Sequence, residues 1–362
     1  MMPHSRPLFE HAMTTNTQQA IGFGIVGTGM IAGFHAQAIQ CTPDARLVGF
    51  AGRSADKAAA LAAKHGAHFS TGSVDELISH PDIKVVCICT PSGVHFEPTM
   101  AAIDAGRHVV VEKPVEVSTE LVDRIITAAE AKGVLLASIF QGRFGAGAST
   151  VKAALDAGRL GRLVIASASV KWFRSDAYYN GWKGVLALDG GGAVMNQAIH
   201  GVDLLQWFVG MPVEVVAYKG NRVHTRIESE DTACALLKFA DGAMGTLEAT
   251  TATWPGWSRR IELCGEHGSI ALEDDRITKW DFRNARPEDD AIRKGSDNAL
   301  GSGAADPGAI SLEGHLRQFA NVVAAIRTGE PLAIDGREGR KAVSFVEAIY
   351  SSAASGTPVA PR

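Results

Sequence analysis

An apolar run at 21–26 leads directly into Gly27-Thr28-Gly29-Met30-Ile31-Ala32, and that segment opens a stretch with helical spacing. Few folds suit this order. The first glycine permits a tight turn, the second lets the backbone approach an anion, and the small sixth residue allows helix and strand to pack closely. The helix start then offers free N–H groups and a partial positive charge to a phosphate. The segment therefore predicts the first β-α unit of a dinucleotide-binding sheet, with Gly27, Thr28, Gly29, Met30 and Ile31 around the pyrophosphate.

The chain beyond residue 32 extends that unit. Strands are expected at 21–26, 46–51, 84–90, 108–111 and 134–140, with helices at 31–40, 55–65, 96–105 and 119–131 between them. Such alternation predicts a Rossmann-type, doubly wound parallel sheet over 21–142. At 362 residues the chain exceeds one ordinary core, so a second domain is expected. Past residue 144 strands succeed one another without intervening helices, at 163–173, 213–221, 230–240, 243–253, 259–264 and 269–273. Asp241-Gly242 is a two-residue hairpin signal between two of them. This predicts an α+β domain over 143–362 with a large, mainly antiparallel sheet for substrate binding and self-association. A helix is expected at 192–210, and others at 311–328 and 338–352 pack back on the first domain. Residues 1–20 read as a loose tail, and 284–308 as a mobile loop.

A net charge of -4 gives no reason to expect a nucleic-acid partner. The apolar runs are strand-sized, so no membrane partner is expected either. Cys41, Cys87, Cys89, Cys234 and Cys264 lack the paired spacing of a disulfide framework or a zinc site. They predict reduced thiols, no metal and a cytoplasmic location.

The end of the second strand bears on the cofactor. An acidic residue there binds the ribose 2′-hydroxyl and repels a 2′-phosphate. Here Ala51-Gly52-Arg53-Ser54-Ala55-Asp56-Lys57 has no acid at the strand tip. Arg53, Ser54 and Lys57 suit a phosphate, which favours NADP, with NAD as the alternative.

Glu112-Lys113-Pro114 ends a strand at the carboxyl edge of the sheet, where open α/β sheets bind ligands. In Asn196-Gln197-Ala198-Ile199-His200, following Gly190-Gly191-Gly192, Asn196 and His200 are four apart and share one helical face. The stretch 171–179, Lys-Trp-Phe-Arg-Ser-Asp-Ala-Tyr-Tyr, combines rings that cover sugar faces with polar tips that hold hydroxyls. Arg174 and Tyr179 are its expected substrate contacts.

With these residues, Thr90-Pro91-Ser92-Gly93-Val94-His95, Trp182-Lys183 and Glu230-Asp231-Thr232, the chain from about 21 to 352 resembles the Gfo/Idh/MocA oxidoreductases, relatives of glucose–fructose oxidoreductase and inositol dehydrogenase. The resemblance implies an NAD(P)-dependent enzyme moving a hydride between nicotinamide and a carbinol or ketone of a sugar, glycoside, polyol or nucleotide sugar. It implies Lys113 and His200 as catalytic groups flanking the reacting carbon, and Thr90, Pro91, His95, Glu112, Lys113, Gln141, Trp182 and Lys183 as further cofactor contacts. Lys183 stands where the family has an arginine. Many relatives carry an aspartate where this chain has Asn196, and an amide takes no proton, so Asn196 is left to bind substrate beside Lys113. The uncovered face of the second sheet implies a dimer or tetramer. A non-catalytic NAD(P)-binding regulator, and a cofactor-assisted hydrolase or isomerase, are the competing readings.

Overall fold

The computed structural model describes residues 19–295, 303–306 and 311–362, so the expected tail falls, but for two residues, outside it. Strands β1 (Ile21–Val26), β2 (Ala45–Ala51), β3 (Phe69–Thr71), β4 (Val85–Ile88), β5 (His108–Val111) and β6 (Leu136–Ser138) are all parallel, in the order β3-β2-β1-β4-β5-β6. Every residue of β1 is buried, because helices cover both faces of the sheet. The strand order reverses between β1 and β4, and the carboxyl ends of these two strands open a crevice there.

Helices α1 (Met30–Cys41), α2 (Ala55–Lys64), α4 (Phe96–Asp104) and α5 (Thr119–Lys132) match the expected ones within two residues. Strand β3 and helix α3 (Val74–Ser79) were not expected. Three residues show no period, and α3 is announced only by Ser73, whose hydroxyl accepts the Glu76 N–H.

The second sheet has seven strands, β7 (Leu163–Lys171), β8 (Pro212–Gly220), β9 (Thr232–Phe239), β10 (Met244–Thr250), β11 (Arg260–Gly265), β12 (Gly268–Glu273) and β13 (Arg276–Phe282), ordered β13-β12-β11-β7-β10-β9-β8. All its pairings are antiparallel except β7 with β10. Along β9, Ala233, Ala235, Leu237 and Phe239 enter the core while Leu236 is 64% exposed, the alternation of a sheet covered on one face. The covering helices are α6 (Ala146–Asp156), α8 (Ile199–Val209) and the last helix, Gly336–Ser355.

The expected loop at 284–308 needs correction. A helix, α9 (Asp289–Lys294), forms inside it, because the buried Asp289 carboxylate accepts from Arg159 at 2.6 and 2.9 Å and from the Trp280 indole at 2.7 Å. Residues 296–302 and 307–310 lie outside the described residues.

Two C-terminal helices close the molecule. From α10 (Glu313–Thr328), Phe319, Val322 and Val323 enter the core of the first sheet, where Phe319 meets the Phe23 ring edge-on. From α11 (Gly336–Ser355), Val343 joins the core on the other face of that sheet, while Phe345 and Ile349 pack under the second sheet. Arg143 ties α8 to α11. Its guanidinium is buried against Asp203 of α8 at 2.6 Å and Glu338 of α11 at 2.9 Å. No helix among the described residues is long and apolar enough to cross a membrane.

Candidate functional site

A cavity of 660 Å³ runs from the β1–β4 crevice to the inner helices of the second sheet. Its first end is shaped by main chain. Gly27 has φ +124°, and a Cβ there would lie 2.3 Å from the Cys89 carbonyl oxygen, so only glycine fits. Gly29 faces open space and precedes α1 with no side chain capping the helix, which leaves its first N–H groups free for an anion. This cradle fits a dinucleotide pyrophosphate. Thr28, Met30 and Ile31 complete it, and Arg53, Ser54 and Lys57 line the far end beyond β2. The Ser54 hydroxyl is partly engaged, since it caps α2 by accepting the Lys57 N–H at 3.3 Å.

Thr90, Pro91 and His95 form the wall after β4, and Gln141 the wall after β6. The two ring nitrogens of His95 sit 2.8 Å from the Pro114 carbonyl and 3.0 Å from the Thr90 carbonyl, tying the turn after β4 to the turn after β5. Glu112 is buried at the end of β5, with one oxygen 2.8 Å from His35 Nε2 and the other accepting the Lys113 N–H. Burial alone would raise its pKa, but the His35 bond and the nearby His35, His315 and Lys113 charges hold it at about 2.

The second end is built from side chains. The expected helix at 192–210 divides into a wide π-helical turn, Ala193–Ala198, and α8. Extra width of this kind re-aims side chains and is common at functional sites. The turn starts at Gly192, where a Cβ would lie 1.8 Å from the Glu230 carbonyl oxygen. The buried Glu230 carboxylate accepts the N–H groups of Gly192 and Val194 and the Tyr350 hydroxyl. Its neighbour Asp231 accepts three successive N–H groups, from Arg222, Val223 and His224. The Glu-Asp-Thr segment is thus scaffolding.

Asn196, His200 and Lys113 all reach the cavity. The Lys113 ammonium donates to the Asn196 backbone carbonyl at 2.7 Å. Burial lowers the Lys113 pKa, with Glu112 and Asp189 opposing and Arg174 adding to the fall. Burial and the Lys113 and Arg259 charges push His200 well below its ordinary value, so its imidazole is neutral at pH 7. Trp182 and Lys183 also line this end, with the Lys183 ammonium 3.6 Å from the centre of the Tyr178 ring. Arg174 is buried in the wall and donates to Gln197 Oε1 at 3.0 Å and to backbone oxygens of Phe173, Gly303 and Ala304.

Of the residues expected from the sequence to act on substrate or cofactor, the cavity gathers all but Tyr179. Tyr179 turns away, and its hydroxyl bonds Thr251 Oγ1 at 2.7 Å. The reason is local: 176–179 form a 3₁₀ turn, which points adjacent side chains about 120° apart, so Tyr178 faces the cavity instead. Gln197, Tyr178 and Arg259 also line it and were missed. The first two stood inside motifs already marked, whereas Arg259, just before β11, carried no sequence signal. One cluster was unforeseen. His35, Glu112 and His315 bring ligand-type atoms within 4.8 Å of one another, although the His35–Glu112 hydrogen bond already engages two of the three.

The family model described as "Oxidoreductase family, NAD-binding Rossmann fold" matches residues 21–140, and that of the GFO/IDH/MocA C-terminal domain matches 148–271. The WlbA dehydrogenase from Bordetella pertussis, solved in complex with NADH and UDP-GlcNAcA, is 34% identical with a TM-score of 0.86, over 95% of this chain and 98% of that one. The 1,5-anhydro-D-fructose reductase of Ensifer adhaerens is 30% identical over 68% of this chain and 74% of its own length. The inositol 2-dehydrogenase of Rhizobium meliloti is 26% identical over 92% and 97%.

His315 yields a test of the electrostatics beneath the cavity. Its ring is buried, and burial lowers the pKa to about 4 from an ordinary 6.5, with the Glu112 charge and a hydrogen bond to the Ser311 backbone opposing the fall. As pH falls from 6.5 to 4 the unfolded chain takes up this proton and the folded one does not, so stability declines across that window. Urea midpoints at pH 7 and pH 5 should therefore differ by less in His315→Leu than in the wild type. An unchanged difference would show that His315 does not titrate in this way.

Proposed function

Because the chain belongs to the GFO/IDH/MocA family of NAD-binding oxidoreductases, we propose that its cavity moves a hydride between a nicotinamide and a carbinol carbon of a sugar-like substrate, with Lys113 and His200 sharing the hydroxyl proton. The observation that carries this reading is their convergence. Lys113 is pinned to the Asn196 backbone carbonyl, and a neutral His200 lines the same space. A nicotinamide bound here would supply the hydride acceptor in oxidation and the hydride donor in reduction. The hydride leaves carbon only as the hydroxyl proton is accepted, and a neutral imidazole or amine can accept it. Asn196 and Gln197 hold substrate hydroxyls by hydrogen bonds. Trp182, Lys183, Thr90, Pro91, Gln141 and the Glu112–Lys113 segment border the cofactor.

For the substrate we favour a nucleotide sugar within the sugar-like class. Arg174 and Lys183 bring two cations to the substrate end, and the Bordetella pertussis protein with 34% identity was solved with UDP-GlcNAcA. For the cofactor, Arg53 and Lys57 with no acid at the strand tip favour NADP on charge, while the relative's NADH supports NAD as the alternative. The open face of the second sheet, with Tyr218, Leu236 and Met244 exposed, suits burial against another copy in a dimer or tetramer. The five free cysteines suit the cytoplasm.

Three measurements test these assignments. Turnover of UDP-GlcNAcA and of a panel of sugars and polyols, followed by reduced-nicotinamide absorbance, should fall on the order of 10²–10⁴-fold in Lys113→Met and in His200→Ala, with cofactor affinity little changed. Asn196→Ala should instead act mainly through KM. Near-normal turnover in both the Lys113 and His200 variants would remove the chemistry from this site. Titration of both cofactors should show Arg53→Asp weakening NADP and sparing NAD, and a wild type that binds NAD at least as tightly as NADP would refute the preference. Light scattering at micromolar concentration should find a dimer or tetramer, and a monomer would refute the sheet-face association.

A further inference from the structure

Asp189 ends the short helix α7 (Leu186–Asp189), just before the glycine turn, and is 1% exposed. It stands behind Asn196, off the cavity wall. One carboxylate oxygen accepts the Gly184 N–H at 2.8 Å, and the other accepts Asn196 Nδ2 in a short hydrogen bond. A carboxylate can only accept, so Asn196 must give it the amino group and send its own carbonyl forward. That carbonyl accepts from Gln197 Nε2 at 2.9 Å and from the Tyr178 hydroxyl at 3.4 Å. Gln197 has then committed its amino group as well, and its carbonyl turns to the Arg174 guanidinium at 3.0 Å. Two amides are thus lined up between a buried anion and a buried cation. Reversing either one would set oxygen against oxygen at one end or N–H against N–H at the other.

The same carboxylate acts electrostatically on the two ammonium groups of the site. Burial raises the Asp189 pKa, while the Gly184 and Asn196 bonds and the Lys113 and Lys183 charges oppose the rise. Reciprocally, burial and the Lys113 charge bring Lys183 down to about 8, and Asp189 works against that fall, as it does for Lys113. The other charged groups acting on the two lysines are Glu112 and Arg174.

We propose that Asp189 is a positioning residue of the substrate end: it fixes the direction of the Asn196–Gln197 amide chain and supplies the buried negative charge that acts on Lys113 and Lys183. The proposal rests on the hydride-transfer reading for the identity of the reaction; it stands on the hydrogen bonds that run from Gly184 and Asp189 through Asn196 and Gln197 to Arg174, and its charge component is read without turnover. That charge strengthens the hold of both amines on their protons, so the cavity meets its substrate with hydroxyl-binding amides already oriented and its cations matched by a counter-charge.

The test acetylates the full-length protein with acetic anhydride over a pH series and follows Lys113 and Lys183 separately by peptide mass spectrometry, since only the free amine reacts. In Asp189→Asn, which keeps shape and removes charge, the pH midpoint of Lys183 acetylation should fall by about one unit and that of Lys113 should move the same way. Asp189→Glu should restore midpoints near the wild type. If Asp189→Asn does not fold, Asp189→Ser keeps an acceptor for the Gly184 N–H and should show the same falls. Unmoved midpoints in a folded neutral variant overturn the proposal, whatever the sugar panel shows. Shifted midpoints with an inactive panel would uphold it and leave the choice of substrate as the error.

Discussion

The buried carboxylate of Glu230 is the contact on which the substrate end depends. It reaches from the start of β9 into the glycine turn and binds the Gly192 and Val194 N–H groups, with the Tyr350 hydroxyl of α11 as its third donor. The second sheet, the wide turn and the last helix therefore meet at one point. Were the turn to begin with any side chain, the Glu230 main chain would be displaced, since a Cβ at Gly192 has no room. The position of Asn196, Gln197 and His200 over the crevice follows from that close approach, because the turn has its widened geometry from its first residue onward.

The two ends of the cavity are made by different means. At the crevice the groups offered to an anion are main-chain N–H groups at a helix start, beside Gly27 and Gly29, where the absence of side chains leaves room. At the other end nearly every polar atom is committed to another side chain, from Asp189 through Asn196 and Gln197 to Arg174. Networks of that kind are strong when complete and costly when one member is lost.

Much of this was legible in the sequence, for identifiable reasons. The first sheet could be read because each strand is a short apolar run bounded by a periodic helix, and the glycine turn because its backbone demands exclude other residues. Strand β3 and helix α3 escaped notice as too brief to show a period, and β13 because Arg276–Phe282 carries charges on its exposed side. Lys113 and His200 were legible through a motif, whereas the choice of Tyr178 over Tyr179 turned on one 3₁₀ turn that adjacent tyrosines do not announce. The π-helical turn was likewise hidden. Its residues, Ala193 to Ala198, would suit an ordinary α-helix, and only the tertiary bond from Glu230 distinguishes the two. Asp189 carried no signal at all, since its role lies in the residues folded around it.

The placement of α10 has a consequence for how the molecule is made. The dinucleotide sheet is encoded almost wholly in the first part of the chain, yet Phe319, Val322 and Val323 are needed to cover one of its faces. Until those residues leave the ribosome, the nascent sheet exposes an apolar strip beside Phe23 and α1. Strand β7 waits too, because both of its neighbours, β10 and β11, come later in the sequence. Pairings of such long sequence separation close slowly. Both cores therefore stay unfinished until the last two helices emerge, and a chain cut short before α10 would present the surface that chaperones and proteases recognise.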